Sequence, residues 1–256
     1  MLERKSRLDV LAVSSLILCC FLWGLNQVAV KAALPEMPPL WQAAVRSLGG
    51  MVLVGLWARL RGIAIFTRDG TLRGGLLAGL LFAAEFVCIF VGLQFTTASR
   101  MVVFLYTAPF VVALGMPFIA RAERLSPQQV LGLAVAFAGV AWAFAEGFTK
   151  PAAGAHQWLG DALGLLAGGL WGATTLAIRA TALSNASAEK TLLYQLAVSG
   201  VLLCAGAAWV GSPLPATLSV LAWSSMAFQV VMVTFFSFLV WFWLVRSYAA
   251  TRLASF

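Results

Sequence analysis

The sequence predicts an all-α polytopic membrane protein built as an inverted repeat of five transmembrane helices, ten in the whole design. Three observations carry this reading: the composition, the spacing of the apolar runs, and an internal repeat. The 256 residues are 62% hydrophobic and only 10% charged, with a mean hydropathy of +0.94. Soluble domains carry about 25% charged residues, so this chain cannot clothe a water-facing globule. A bilayer replaces water as the solvent for such a surface. At roughly 20 apolar residues per span, the length admits at most about ten spans. A soluble enzyme, a disordered chain and a single-span receptor with a large ectodomain are excluded.

Eight apolar runs follow in order: 10–30, 40–58, 74–95, 101–120, 128–146, 159–178, 191–210 and 217–245. The N-terminal run is too long for the apolar core of a signal peptide and is read as the first membrane helix. The last run, 29 residues long, must tilt or bend. Connections are short, and none is large enough to form a separate domain.

Basic residues set the orientation. Thirteen of them (Arg4, Lys5, Arg7, Arg59, Arg61, Arg68, Arg73, Arg121, Arg124, Arg179, Lys190, Arg246 and Arg252) fall on one side, against three (Lys31, Arg100 and Lys150) on the other. That bias puts the N-terminus in the cytoplasm of a bacterial inner membrane. The basic residues are scattered between apolar runs, so the net charge of +8 reads as a topology signal rather than as a nucleic-acid surface. The sequon at Asn185 then faces the cytoplasm, where glycosylation is not expected.

The repeat is the most informative feature. Phe21-Leu-Trp-Gly24 with Val30-Lys31 matches Gly169-Leu-Trp-Gly172 with Ile178-Arg179 at an offset of 148 residues. Gly92 to Met101 matches Leu244 to Leu253 at an offset of 152, most strongly as Ala98-Ser-Arg100 against Ala250-Thr-Arg252. Five spans precede the second copy, so it begins on the opposite side of the membrane, as in the inverted repeats of secondary transporters. The expected organisation is a first repeat over 1–148, a linker over 149–158 and a second repeat over 159–256. Phe256 aligns with Phe104, after which the first copy continues for two more helices. About eight complete helices are therefore expected here, and the sequence reads as a truncated form of a ten-helix protein.

The Trp-Gly of the first helix, Leu93-Gln-Phe-Thr-Thr-Ala-Ser-Arg100 with Pro109 after it, and Glu123-Arg-Leu-Ser126 leading into Gly132 and Gly139 together resemble the EamA-type branch of the drug/metabolite transporter superfamily. The resemblance covers the first repeat and the second up to its end. It implies a ten-helix inverted-repeat fold and export of small metabolites, amino acids among them.

Candidate site residues follow from position. Trp23 and Trp171 each lie eight residues, about 12 Å, from a basic residue at opposite membrane faces, and so near the midplane. A midplane Trp beside a Gly marks either a cavity or a close helix crossing. Asn26, Gln27, Thr174 and Thr175 lie within a turn and offer hydrogen bonds to a polar substrate. Glu85 sits about 15 Å along the third span. A carboxylate there reads as a proton-titrating or cation-pairing group, with a structural carboxyl as the alternative. Arg46, about 9 Å inside the second span, is expected to snorkel outward; the other reading pairs it with Glu85 or with a substrate carboxylate. Tyr106 and Thr107 precede Pro109, which with Pro117 should bend the fourth span. Gly160, Gly164, Gly168 and Gly172 form a packing stripe, and Gly168 and Gly172, with Pro109, are candidate pivots. Gln195 and Gln229 extend the polar wall onto the last two runs.

The four cysteines form no C-x-x-C pair, and His156 has no companion ligands, so neither a metal nor another cofactor is expected. No G-x-x-x-x-G-K-[ST], H-E-x-x-H or G-x-S-x-G segment occurs, which argues against an ATP-driven pump and an intramembrane hydrolase. The expected partners are a small-molecule substrate and the lipid bilayer, with no nucleic acid; protons as a coupling ion and facilitated diffusion are alternatives. The expected function is a secondary transporter exporting amino acids or related amphipathic metabolites by alternating access. The alternatives are a proton-coupled multidrug or cation exporter using Glu85, and a non-transporting assembly or sensor subunit.

Overall fold

A computed structural model describes residues 8–120, 125–149, 154–211, 213, 216–248 and 253. Among these, seven helices are long and apolar enough to cross a membrane. They are α1 (Val10–Ala33), α2 (Pro39–Leu60), α3 (Leu72–Phe95), the pair α4 (Ala98–Leu105) and α5 (Ala108–Ile119), α8 (Gln157–Ala180), α9 (Ala188–Trp209), and a last span, Val220–Ser247, made of three helical pieces. The fifth apolar run is shorter than expected. It forms α6 (Pro127–Ala143), 17 residues, and a single turn α7 (Glu146–Thr149). The Glu123-Arg124 motif, Arg252 and residues 150–153 of the linker lie outside the described residues.

Helix starts are written in the local sequence. Asp9 caps α1 by accepting from the Ala12 N–H at 2.9 Å. Pro39 opens α2 where its missing N–H costs nothing. Ser126 and Gln129 form a reciprocal capping box at α6. Ser187 and Ser219 cap α9 and the last span through the amides of Lys190 and Ala222.

Two interruptions depart from simple helices. The fourth span breaks at Tyr106–Thr107, just before Pro109 in the first turn of α5. Proline supplies no N–H and clashes with the preceding turn, which forces the break. In the last span, α10 (Val220–Ala227) passes into a π-helix over Phe228–Ser237 and then α11 (Phe238–Ser247). The Thr234 hydroxyl donates to the Gln229 carbonyl, five residues back, at 2.9 Å. The wider turn interrupts the α-helical hydrogen-bond ladder of this long run.

Helix α3 is central: 61% of its apolar window is buried inside the protein, against 28% to 44% for the other spans. It packs along α8, and small residues permit the approach. A Cβ on Gly160 would lie 2.7 Å from the Thr96 backbone nitrogen and 2.8 Å from the Gly92 carbonyl. On Gly168 it would meet the Thr107 side chain and the Phe104 carbonyl, and on Gly172 the Val111 side chain at 2.6 Å. The glycine stripe of α8 therefore seats the α3 end, α4 and the α4–α5 break in turn.

Polar bridges join the helix ends. Asp161 of α8 accepts from the Thr96 hydroxyl at 2.7 Å and from Arg100 Nε at 2.9 Å. At the other end of the bundle, the Tyr248 hydroxyl donates to both Asp9 oxygens at 2.9 Å. Thr96 and Tyr248 are 152 residues apart, as are Asp9 and Asp161, which is the offset of the second repeat block. Lys31 closes the α3 terminus by donating to the carbonyls of Leu93 and Thr96. Lys190, read from sequence only as a topology signal, is buried and donates to the Thr67 carbonyl and hydroxyl and to Asp69, at 3.0, 2.8 and 2.8 Å.

Gly160→Ala should lower the stability of the detergent-solubilised protein by about 1–3 kcal/mol through overpacking against backbone. Gly169→Ala, with nothing within 4 Å of its Cβ position, should be close to neutral; thermal unfolding of the two variants checks this. Hydrogen bonds from Lys190 and Thr71 hold the Asp69 carboxyl well below the ordinary carboxylate range. A depressed folded pKa means the bridge is fully present above the unfolded value, about pH 4, and is lost as pH falls further. Asp69→Asn should therefore lower the melting temperature at pH 7, and the difference from wild type should shrink on acidification below about pH 4.

Candidate functional site

The centre of the bundle holds three indoles. Trp23 of α1 meets Trp171 of α8 at a centroid distance of 5.3 Å and Trp241 of α11 at 5.4 Å, both edge to face. Trp171 and Trp241 close the triangle at 6.2 Å. Such geometry sets the positive ring edge against the negative face. The Trp23 indole N–H donates to the Ser237 hydroxyl at 2.9 Å, and that hydroxyl donates to the Val233 carbonyl at 2.6 Å. The π-helix thus fixes the ring that α1 contributes.

Two cavities share Trp23, Trp171, Thr175 and Trp241 as a common wall. The first is lined by α1, α2, α3, α4, α8, α9 and the last span. Its polar lining consists of Asn26, Gln27, Arg46, Glu85, Thr174, Thr175 and Gln195, set among Phe82, Phe86 and Phe238. The second is bounded by Leu16, Cys20, Tyr106, Pro109, Val112 and Val245 and is mostly apolar.

The polar groups of the first cavity fall into two sets. Thr174 and Thr175 spend their hydroxyl protons on carbonyls one turn back, Leu170 at 2.9 Å and Trp171 at 3.2 Å. Gln195 likewise donates to the Thr191 carbonyl at 3.2 Å. In contrast, Asn26 Oδ1, Gln27 Oε1, Glu85 Oε2 and all three guanidinium nitrogens of Arg46 have no hydrogen-bond partner. All four residues are buried, and Arg46 is 0% exposed. Its guanidinium carbon lies 3.8 Å from the Phe86 ring centroid and 5.2 Å from that of Phe238. Cation–π contact stabilises the charge from its faces but leaves the in-plane N–H donors unused. A native protein rarely tolerates so many unpaired buried groups in one place unless something else binds them.

Of the residues singled out by sequence, Trp23, Asn26, Glu85, Trp171, Thr174 and Gln195 come together on the first cavity. Tyr106 lies on the second, beside Pro109. Gln229 lines neither; its amide donates to Gln42 Oε1 at 2.8 Å inside the α2 contact. Gly168 and Gly172 face the α4–α5 break rather than a cavity. His156 is exposed at the start of α8. The expected snorkelling of Arg46 is corrected: its side chain turns inward beneath the aromatic rings of α3 and α11 rather than toward a membrane face. Trp241 and the phenylalanine set were missed, because aromatic residues in an apolar run carry no signal that separates cavity from core.

Comparison with known proteins agrees with this architecture. Over 242 residues the chain is 28% identical to the "Uncharacterized transporter YvbV" of Bacillus subtilis (strain 168), covering 92% of this chain and 75% of that protein. A solved crystal structure superposes with a TM-score of 0.75 at 15% identity, covering 94% of this chain and 81% of the other, which establishes likeness of fold. The model of the EamA-like transporter family matches residues 10–145. With that match over more than half its length and its apolar spans around a central cavity, the chain belongs to the EamA-like transporter family of multi-pass membrane transporters.

Proposed function

We propose that this transporter exports small amphipathic metabolites, amino acids or their close relatives, by alternating access around the first cavity. The observation that carries the reading is the cluster of unpartnered buried polar groups on Asn26, Gln27, Arg46 and Glu85, walled by Phe82, Phe86 and the three indoles. A substrate with a charged end and an apolar body meets both requirements of that lining. Glu85 is the coupling group: a carboxyl at membrane depth that lines the same cavity as Arg46 and takes up a proton when the substrate leaves. The basic bias supports an inner-membrane orientation with the N-terminus cytoplasmic. A cation exporter is the weaker reading, because the unpartnered guanidinium of Arg46 faces the same space.

The bridges at the two ends supply the alternation. Thr96 and Arg100 on Asp161 tie α8 to the α3–α4 corner, and Tyr248 on Asp9 ties α1 to α11. Each holds one end of the bundle, and transport breaks them in turn.

Counterflow of labelled amino acids in proteoliposomes, with and without a pH gradient, tests the reading. Flux of at least one amino acid is expected, and Glu85→Gln should flatten its pH dependence. Absence of flux for every amino acid would favour a non-transporting subunit. Asp161→Asn and Asp9→Asn should shift the resting conformer in opposite directions. Impermeant thiol labelling of Thr174→Cys from either membrane side reads that shift, and a change in the same direction from both variants would refute the paired-bridge mechanism.

A further inference from the structure

We infer that Arg46 is the carboxylate anchor of this transporter and that Glu85 receives the ammonium group of the same substrate, so that the site selects net-neutral zwitterions. The inference rests on the transport reading above and deepens it. Arg46 lies fully buried on the first cavity with Nε, Nη1 and Nη2 all unpartnered. Phe86 stacks 3.8 Å from the guanidinium carbon and Phe238 5.2 Å, which restrains the side chain while sparing its N–H edge. A planar fork of donors held in this way matches a carboxylate, which accepts two parallel N–H bonds. Glu85 lines the same cavity with Oε2 unpartnered, and no hydrogen bond joins it to Arg46. The two opposite charges therefore keep their capacity for a third partner instead of cancelling each other.

Charge balance then sets the substrate class. The pair sums to zero, so a ligand carrying one carboxylate and one ammonium leaves no buried charge uncompensated. A simple amine leaves the guanidinium unpaired, and a simple acid leaves the carboxylate unpaired; both are penalised in a low-dielectric cavity. Asn26 Oδ1 and Gln27 Oε1, also unpartnered, are acceptors suited to the remaining ammonium hydrogens. The aromatic surfaces of Phe82 and Trp171 are left for the apolar body.

The test uses the full chain in proteoliposomes and starts from the amino acid with the strongest counterflow. For L-phenylalanine the competitors are phenethylamine, 3-phenylpropionate and the methyl ester. Each should compete about thirtyfold or more weakly than the parent acid, as loss of one partner of a desolvated charge pair predicts. Arg46→Gln should raise KM by about tenfold or more and erase the preference for acid over ester, with Arg46→Lys intermediate. Equal competition by ester and acid in the wild-type protein would overturn the anchor, as would an unchanged KM and preference in Arg46→Gln. The wild-type competition series decides the question even if the variant fails to fold. No counterflow of any amino acid would instead overturn the transport reading beneath it, and the anchor with it.

Discussion

Hydrocarbon offers no hydrogen bonds, and that constraint shapes this protein at every level. Backbone groups at membrane depth must find partners within their own segment, so the spans are helices. Where the helix breaks, at Tyr106–Thr107, or widens, over Phe228–Ser237, the irregular stretch lies against other helices. Side chains follow the same logic. Hydroxyls such as those of Thr174, Thr175 and Ser237 close onto their own helix. Lys31 and Lys190, which would be costly in lipid, are spent on carbonyls, a hydroxyl and a carboxylate at helix ends. Against that background, the unpaired groups on Asn26, Gln27, Arg46 and Glu85 stand apart. These groups line one cavity, where a ligand can meet them.

Close helix approach turns this constraint into a shaped space. Lipid tails compete well with leucine for contact, so spans associate through fit rather than through burial from water. The α8 glycines let Gly92 and Thr96 of the α3 end, and the α4–α5 break, sit against its backbone. On the other face of α3, Gly75 and Gly79 receive Tyr194 and Val198 of α9. With α3 clamped from both sides, Phe82, Glu85 and Phe86 are carried to a fixed place on the cavity wall. The same clamp explains why α3 is the most buried span.

Much of this was legible in the residues. Apolar runs of membrane length, Pro109 before a break and the serine and aspartate caps are local signals, and local signals determine helices. The midplane position of Trp23 and Trp171 was also readable, because helical rise fixes depth from a basic end. Rotation about the helix axis was not. Arg46 illustrates the limit: six residues inside a span, a long cationic side chain has routes both outward and inward, and the choice depends on Phe86 and Phe238 from other helices. Gln229 shows the converse. Its polar stripe suited a cavity wall, yet Gln42 from α2 takes its amide. The fifth helix is also shorter than its run. Its apolar run continues past Ala143, but the backbone turns at Phe144 and Ala145 before resuming as α7.

The indole triangle gives the two cavities their relation. Trp23, Trp171 and Trp241 come from three different spans and touch edge to face, so no single helix owns the partition. Any relative motion of α1, α8 and α11 must change it. The bridges at the ends act on those same elements: Asp9 is the cap of α1, Asp161 lies in the first turns of α8, and Tyr248 follows α11. The helices that carry the bridges are therefore the helices that carry the aromatic wall. The two bridges are equivalent under the sequence offset and lie at opposite ends of the bundle. The three rings thus stand as a partition between a polar cavity and a mostly apolar one.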